Sequence, residues 1–233
     1  MAKVSYAQGT LVKKAFTILE LIVVIVIITI LSFYTAPKFY NNNLYKAADQ
    51  IVSHIRYTQH LAMVDNKFDP LKEDWFKKRW QLFFTRSSDR VLGKAWSYII
   101  FSDSFSHTGK PDPSEIAVDP FNNNKRLTGG YTSGGSGIQY SDDRATKRMN
   151  IEREYGIKDV LFSNCGSRAK RVSFDHMGRP YYGDLSSLNN HYDRRIKKQC
   201  KITICLKQCK ISSNDEKVII AIEPETGYVH ILR

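Results

Sequence analysis

The chain has 233 residues, of which 42% are hydrophobic, 25% charged and 12% aromatic, with seven prolines and four cysteines; this mixture excludes disordered, collagenous and multi-span membrane classes. Thirty-five Lys and Arg against 23 Asp and Glu give a formal net charge of +12, so a partner surface is expected to be acidic, as nucleic acid, anionic lipid or another subunit can be. The length fits one compact domain with an appended element.

The appendage comes first. Residues 16–36 read FTILELIVVIVIITILSFYTA, about twenty residues with one ionisable side chain, Glu20, the length that crosses a hydrocarbon core as a helix. The preceding MAKVSYAQGTLVKKA carries Lys3, Lys13 and Lys14, which predicts a cytoplasmic N-terminus with the rest of the chain outside. The charged, small-residue junction Lys13-Lys14-Ala15 precedes the apolar run, so a cut there leaves the helix on the mature protein. A carboxylate in such a run costs roughly 2.5 to 3.5 kcal/mol near a bilayer centre, less near the interface, and is expected to be paired. A cut before Phe16 supplies the partner: the new α-amino group lies one turn from Glu20 and, on a neighbouring subunit, neutralises it as helices pack side by side.

Residues 13–31, KKAFTILELIVVIVIITIL, resemble the prepilin-peptidase processing and methylation motif of type IV pilins and type II secretion pseudopilins, with Ala15 where glycine is commonest. The resemblance implies an α+β pilin fold: a long N-terminal helix, membrane-spanning in its first half, packed on an antiparallel β-sheet head. It implies a leader over 1–15 cut between Ala15 and Phe16, N-methylation of Phe16, and Glu20 as the assembly residue. The transmembrane half then covers 16–36, the amphipathic half 37–66 and a periplasmic head 67–233. The implied partners are the prepilin peptidase, other pilin or pseudopilin subunits, the inner-membrane assembly platform and inner-membrane lipid. The implied location is a single pass in the inner membrane, and then a pilus or pseudopilus.

Pro37 predicts a bend or loosening of the helix, reinforced by Asn41, Asn42 and Asn43. An amphipathic pattern then resumes, with Leu44, Ala48, Ile51, Ile55 and Ala62 at helical spacing and Lys46, Gln50, Ser53 and Arg56 between them; this stripe is expected to pack on a sheet. Residues 47–63, AADQIVSHIRYTQHLAM, resemble the helix end of minor pseudopilins of the GspH/FimT type.

Trp80 to Arg86 and Ala95 to Asp103 are aromatic and β-branched runs around a polar turn, and predict a hairpin. Further strands are expected at Val160 to Ser163, Arg171 to Asp175, Lys201 to Leu206, Lys217 to Ile222 and Tyr228 to Leu232, making the head mainly antiparallel β. The tracts GGYTSGGSG (129–137) and DPFNNNKR (119–126) read as flexible loops. FDHMGRP (174–180) and IEPETGYVHI (222–231) also resemble the GspH/FimT head, with Gly178 and Gly227 in turns.

Chemistry is sparse. The histidines at 54, 60, 107, 176, 191 and 230 show no metal-ligand spacing, and neither a G-x-S-x-G elbow nor a phosphate-binding glycine loop occurs. Asp142 and Asp143 lack an EF-type frame and read as a solvated loop rather than a calcium site. No catalytic residue, metal or cofactor is therefore expected. Four cysteines on the exported side predict disulfides, with three connectivities open; the pairing expected is Cys165–Cys200 with Cys205–Cys209. Arg194, Arg195, Lys197, Lys198 and Lys201 form the densest basic run, followed by Lys207 and Lys210. A solvated face is favoured over a DNA patch, because DNA-uptake pilins of the FimT type use a basic C-terminal tail and this tail, GYVHILR, has only Arg233 besides His230.

The expected function is thus a minor pilin or pseudopilin, a structural subunit rather than an enzyme. A DNA-binding minor pilin for natural transformation is the second reading and an anchored periplasmic enzyme the third.

Overall fold

The computed structural model describes residues 17–35, 42–89, 93–104, 107–133 and 136–232, and the chain divides into two units, Met1–Tyr40 and Asn41–Arg233. In the first unit, Ile18–Thr35 forms helix α1. Thr17 Oγ1 accepts from the Glu20 N–H at 3.3 Å, satisfying one of the free donors of the first turn. Thr29 turns its hydroxyl back onto the Ile25 and Val26 carbonyls, at 3.0 and 2.8 Å. All side chains from Ile18 to Leu31 are exposed.

This corrects the expected spine. The 18 residues of α1 rise about 27 Å at 1.5 Å each, less than the roughly 30 Å of a hydrocarbon core. Among the described residues no helix is long and apolar enough to cross a membrane. The single long membrane-spanning helix and the single-pass inner-membrane placement that depended on it are therefore overturned. The bend expected at Pro37 lies outside the described residues.

In the second unit, Asn42–Val64 forms α2. It buries Leu44, Ala47, Ala48, Ile51, Val52, Ile55, Thr58 and Ala62 and exposes Lys46, Ser53 and Arg56, an apolar face recurring at three and four residues. The strands follow in chain order: β1 (Trp80–Asp89), β2 (Gly93–Ser102), β3 (Val118–Asp119), β4 (Asn122–Arg126), β5 (Tyr131–Ser133) and β6 (Ser136–Ile138), then the short helix α3 (Ile151–Tyr155), then β7 (Asp159–Ser163), β8 (Arg171–Phe174), β9 (Pro180–Tyr182), β10 (Cys200–Cys205), β11 (Lys217–Ile222) and β12 (Val229–Leu232).

Where one sheet is expected, the head has two four-stranded antiparallel sheets, ordered β2-β1-β8-β9 and β12-β11-β10-β7, and two small two-stranded ones. Helix α2 packs on both large sheets. Its stripe meets Leu82, Phe84, Tyr98 and Ile100 of the first and Ile202, Ile204, Ile220 and Ile222 of the second in one core. Strand alternation sends Phe83, Ile99 and Phe101 to the other face of the first sheet. There they form a second cluster with Ile116, Tyr131, Ile138 and Ala145.

The tracts read as flexible loops are a further correction, because both contain paired strands and one supplies Tyr131 to the cover of that second face. DPFNNNKR contains β4, paired with β3, and GGYTSGGSG contributes to the β5–β6 pair. A side chain at Gly137 would run into the Tyr131 carbonyl oxygen, so this glycine allows close strand approach rather than freedom.

The two turns singled out in the sequence converge on α2. Gln59 Nε2 donates to Gly178 O (2.8 Å) in the β8–β9 turn and to Thr226 O (2.9 Å) in the β11–β12 turn. Asp175 shapes the first turn by accepting from the Met177 and Arg179 N–H groups (3.0 and 2.9 Å) and from Arg179 Nε (2.7 Å). Burial opposes its ionisation, but the Arg179 and Met177 bonds outweigh it and hold the carboxyl below the usual range.

Candidate functional site

Ala15 and Phe16, the expected cleavage and methylation positions, lie outside the described residues. Glu20 is exposed in the first turn of α1, where a carboxylate suits the positive end of the helix dipole. Around it the apolar surface is continuous: Leu21, Ile22, Ile25 and Leu31 are 53–57% exposed. Thr29 is satisfied within the helix, which leaves Glu20 as the one ionisable side chain from Ile18 to Leu31.

Cys165 is disulfide-bonded to Cys200 and Cys205 to Cys209, with Cα separations of 5.2 and 5.3 Å. The first bond ties the loop after β7 to the start of β10. The second closes the loop leaving β10, whose Cys209 N–H donates to Asp159 on β7 at 3.0 Å.

The basic run does not form one face. Ile196 within it is fully buried, and Arg195 bridges Tyr181 of β9. Arg194 Nη1 donates to Asp184 O (2.7 Å), while Arg195 pairs with Glu225 in the β11–β12 turn (2.6 Å). Lys197 and Lys198 are exposed, and Lys201 stands on β10 on the side away from the core. A buried isoleucine thus acts as a wedge that sends neighbouring cations to different loops. Asp142 is held by Arg144, whose Nη2 donates at 2.8 Å and lowers the carboxyl's pKa. Among the described residues no cluster of His, Cys, Asp and Glu could hold a metal ion.

Two arrangements are missed by the sequence reading. His54 ends a half-buried chain centred on fully buried Tyr98. Tyr155 Oη donates to Gln50 Oε1 (2.8 Å) and Gln50 Nε2 donates to Tyr98 Oη (2.7 Å), which lies 2.7 Å from His54 Nδ1. Burial lowers the His54 pKa to about 4 and raises that of Tyr98, so at neutral pH His54 is an uncharged acceptor. The chain links α2 to β2 and α3; among the described residues no cluster that could hold a metal ion adjoins it.

The second is a pair of buried arginines. Arg79, 2% exposed, lies 4.0 Å from the Tyr181 ring and 5.0 Å from Trp75, and donates to His191 O at 2.9 Å. Arg171, 6% exposed, lies 4.0 Å from Phe83, donates to Gly109 O (2.7 Å) and pairs with Asp184 (3.2 Å). Both adjoin aromatic strand runs in the sequence, the one signal that marks an arginine for stacking.

No protein-family model, curated protein or solved structure matches the chain. A pilin subunit is defined by a membrane-spanning helix, and none of the described helices is long and apolar enough to span a membrane. The expected role as a minor pilin or pseudopilin of a type IV pilus or type II secretion system, with its DNA-binding variant, is therefore corrected.

Proposed function

We propose that this chain is a non-enzymatic assembly subunit, a β-rich head that joins a multi-chain complex through α1. The observation that carries this is the all-round apolar exposure of α1: from Ile18 to Leu31 only Glu20 and Thr29 are polar. A helix apolar on every side is a buried helix. One so rich in β-branched residues has weak helical propensity and is marginal alone in water at this length. The partner chemistry that fits is the apolar helix of another subunit carrying an amine, because a carboxylate taken into such an interface is costly until a cation meets it. We propose kinship with the pilin superfamily on residues 13–31 alone, without the pilus or pseudopilus role.

Analytical ultracentrifugation tests the proposal on three proteins: the full chain, Glu20→Ala, and a chain starting at Asn41, which retains the whole core of the second unit. The expected result is a discrete assembly for the full chain, a monomer for the shortened one and loss of the assembly in Glu20→Ala. Non-specific sticking would grow when the charge is removed. That outcome, or a monomeric full chain, overturns the proposal.

A further inference from the structure

A groove of about 400 Å³ opens on the head between the loop after β7 and the loop after β9, lined by residues that include Ser167, Arg168, Tyr182, Asp184, Ser187 and Arg194. The volume falls in the range of small-ligand sites, about 300–1,000 Å³. Both walls are fixed in place. The Cys165–Cys200 disulfide anchors the first, and there Gly166 lies so close to the Tyr182 ring that a side chain would come within 2.6 Å of it. On the second wall Arg194 is held at φ +60, a left-handed conformation that non-glycine residues keep only where the surroundings impose it, often at functional sites. Its guanidinium lies over Gly183, with Nη1 donating to Asp184 O at 2.7 Å.

The charge balance identifies the ligand. Asp184 is the one acid among the lining residues, and it is already engaged. Arg171 stands 3.2 Å from its carboxylate, which also accepts from Ser186 N and Oγ at 3.0 and 2.8 Å. Arg168 and Arg194 therefore leave the groove positive. The Ser167 hydroxyl can donate and Ser187 Oγ, which donates to Asp184 O at 3.1 Å, can accept, while the Tyr182 ring and Ala169 form an apolar wall.

We infer that this groove binds an acidic peptide segment of a partner protein, its carboxylates received by Arg168 and Arg194 and its apolar part laid on Tyr182. The planar guanidinium fork suits a carboxylate bidentately. Nucleic acid fits less well, because the basic run is split between loops and Arg195 is bound to Glu225 rather than facing an extended phosphate row. The inference is independent of the role proposed for α1.

Calorimetric titration of the full chain with the peptide acetyl-Gly-Glu-Leu-Glu-Gly-amide, and with its Gln counterpart, tests it. The expected result is that the Glu peptide binds, and that the Gln peptide binds at least about ten-fold more weakly, the scale of a charged hydrogen bond. Arg168→Ala, an exposed position, should weaken the Glu peptide about ten-fold with the thermal midpoint unchanged, Arg194→Lys should weaken it by a similar factor, and Arg195→Ala should not. No binding of the Glu peptide, equal binding of both peptides, or indifference to Arg168→Ala overturns the inference. Tighter binding of duplex DNA or inorganic phosphate than of the Glu peptide, with the same dependence on Arg168, overturns it as well.

Discussion

From Ile18 to Leu31, α1 is apolar at all but two positions and every side chain is exposed, whereas α2, with far fewer apolar residues, buries Leu44, Ala48, Ile51 and Ile55 almost completely. What separates the two helices is pattern rather than hydrophobicity. Helix α2 has one apolar stripe and two sheets to lay it on, while the polar residues between keep its other face in water. Helix α1 has no polar face, so a one-sided contact could never cover it. In the proposed role the first helix is the part of the molecule that other chains cover, while the second helps make the head a folded unit.

Substitutions in the two helices should give the largest contrast. Ile51→Ala, which removes a fully buried side chain, should cost about 2–5 kcal/mol of head stability, and Ile25→Ala in α1 should change it by less than about 0.5 kcal/mol. Urea denaturation of full-length variants under matched conditions reads both, and a similar loss at the two positions would break the comparison.

A pH titration of stability sharpens it, because α2 also carries His54. The folded pKa of about 4 lies below the ordinary value of 6.5, so between these values the unfolded chain binds the extra proton. The contribution is fully present above pH 6.5 and lost as pH falls to 4, a swing of about 3 kcal/mol. His54→Gln should flatten that part of the curve; an unchanged slope would show that His54 is not the titrating group.

A smaller effect is expected at Gln59, where α2 holds both hairpin turns. Gln59→Ala leaves the carbonyls of Gly178 and Thr226 without that donor and should cost about 1–2 kcal/mol, with amide exchange rising at Met177, Gly178 and Gly227. Unaltered exchange there would show that the turns hold without the helix.

The sequence makes some of this molecule legible for physical reasons. The α2 stripe and the strands from Trp80 onward can be read because period 3.6 and β-branched, aromatic runs record which side meets the core. The β3–β4 and β5–β6 pairs are not readable in that way, since their glycines and asparagines are typical of loops, and the close approach at Gly137 shows only in the structure. The direction taken by each cation of the basic run is equally hidden, because it depends on where buried Ile196 fixes the backbone. As for α1, a run of apolar residues declares that water is excluded without stating whether lipid or protein excludes it, and the span of a membrane expected from it was the reading that failed.

The most direct test of the central claim places a photo-crosslinking amino acid at Ile25 of the full chain in the producing cell and identifies the adducts by mass spectrometry. The expected result is a covalent link to an apolar helix of another protein chain, lost in Glu20→Ala. Adducts to lipid alone, or none, would contradict it.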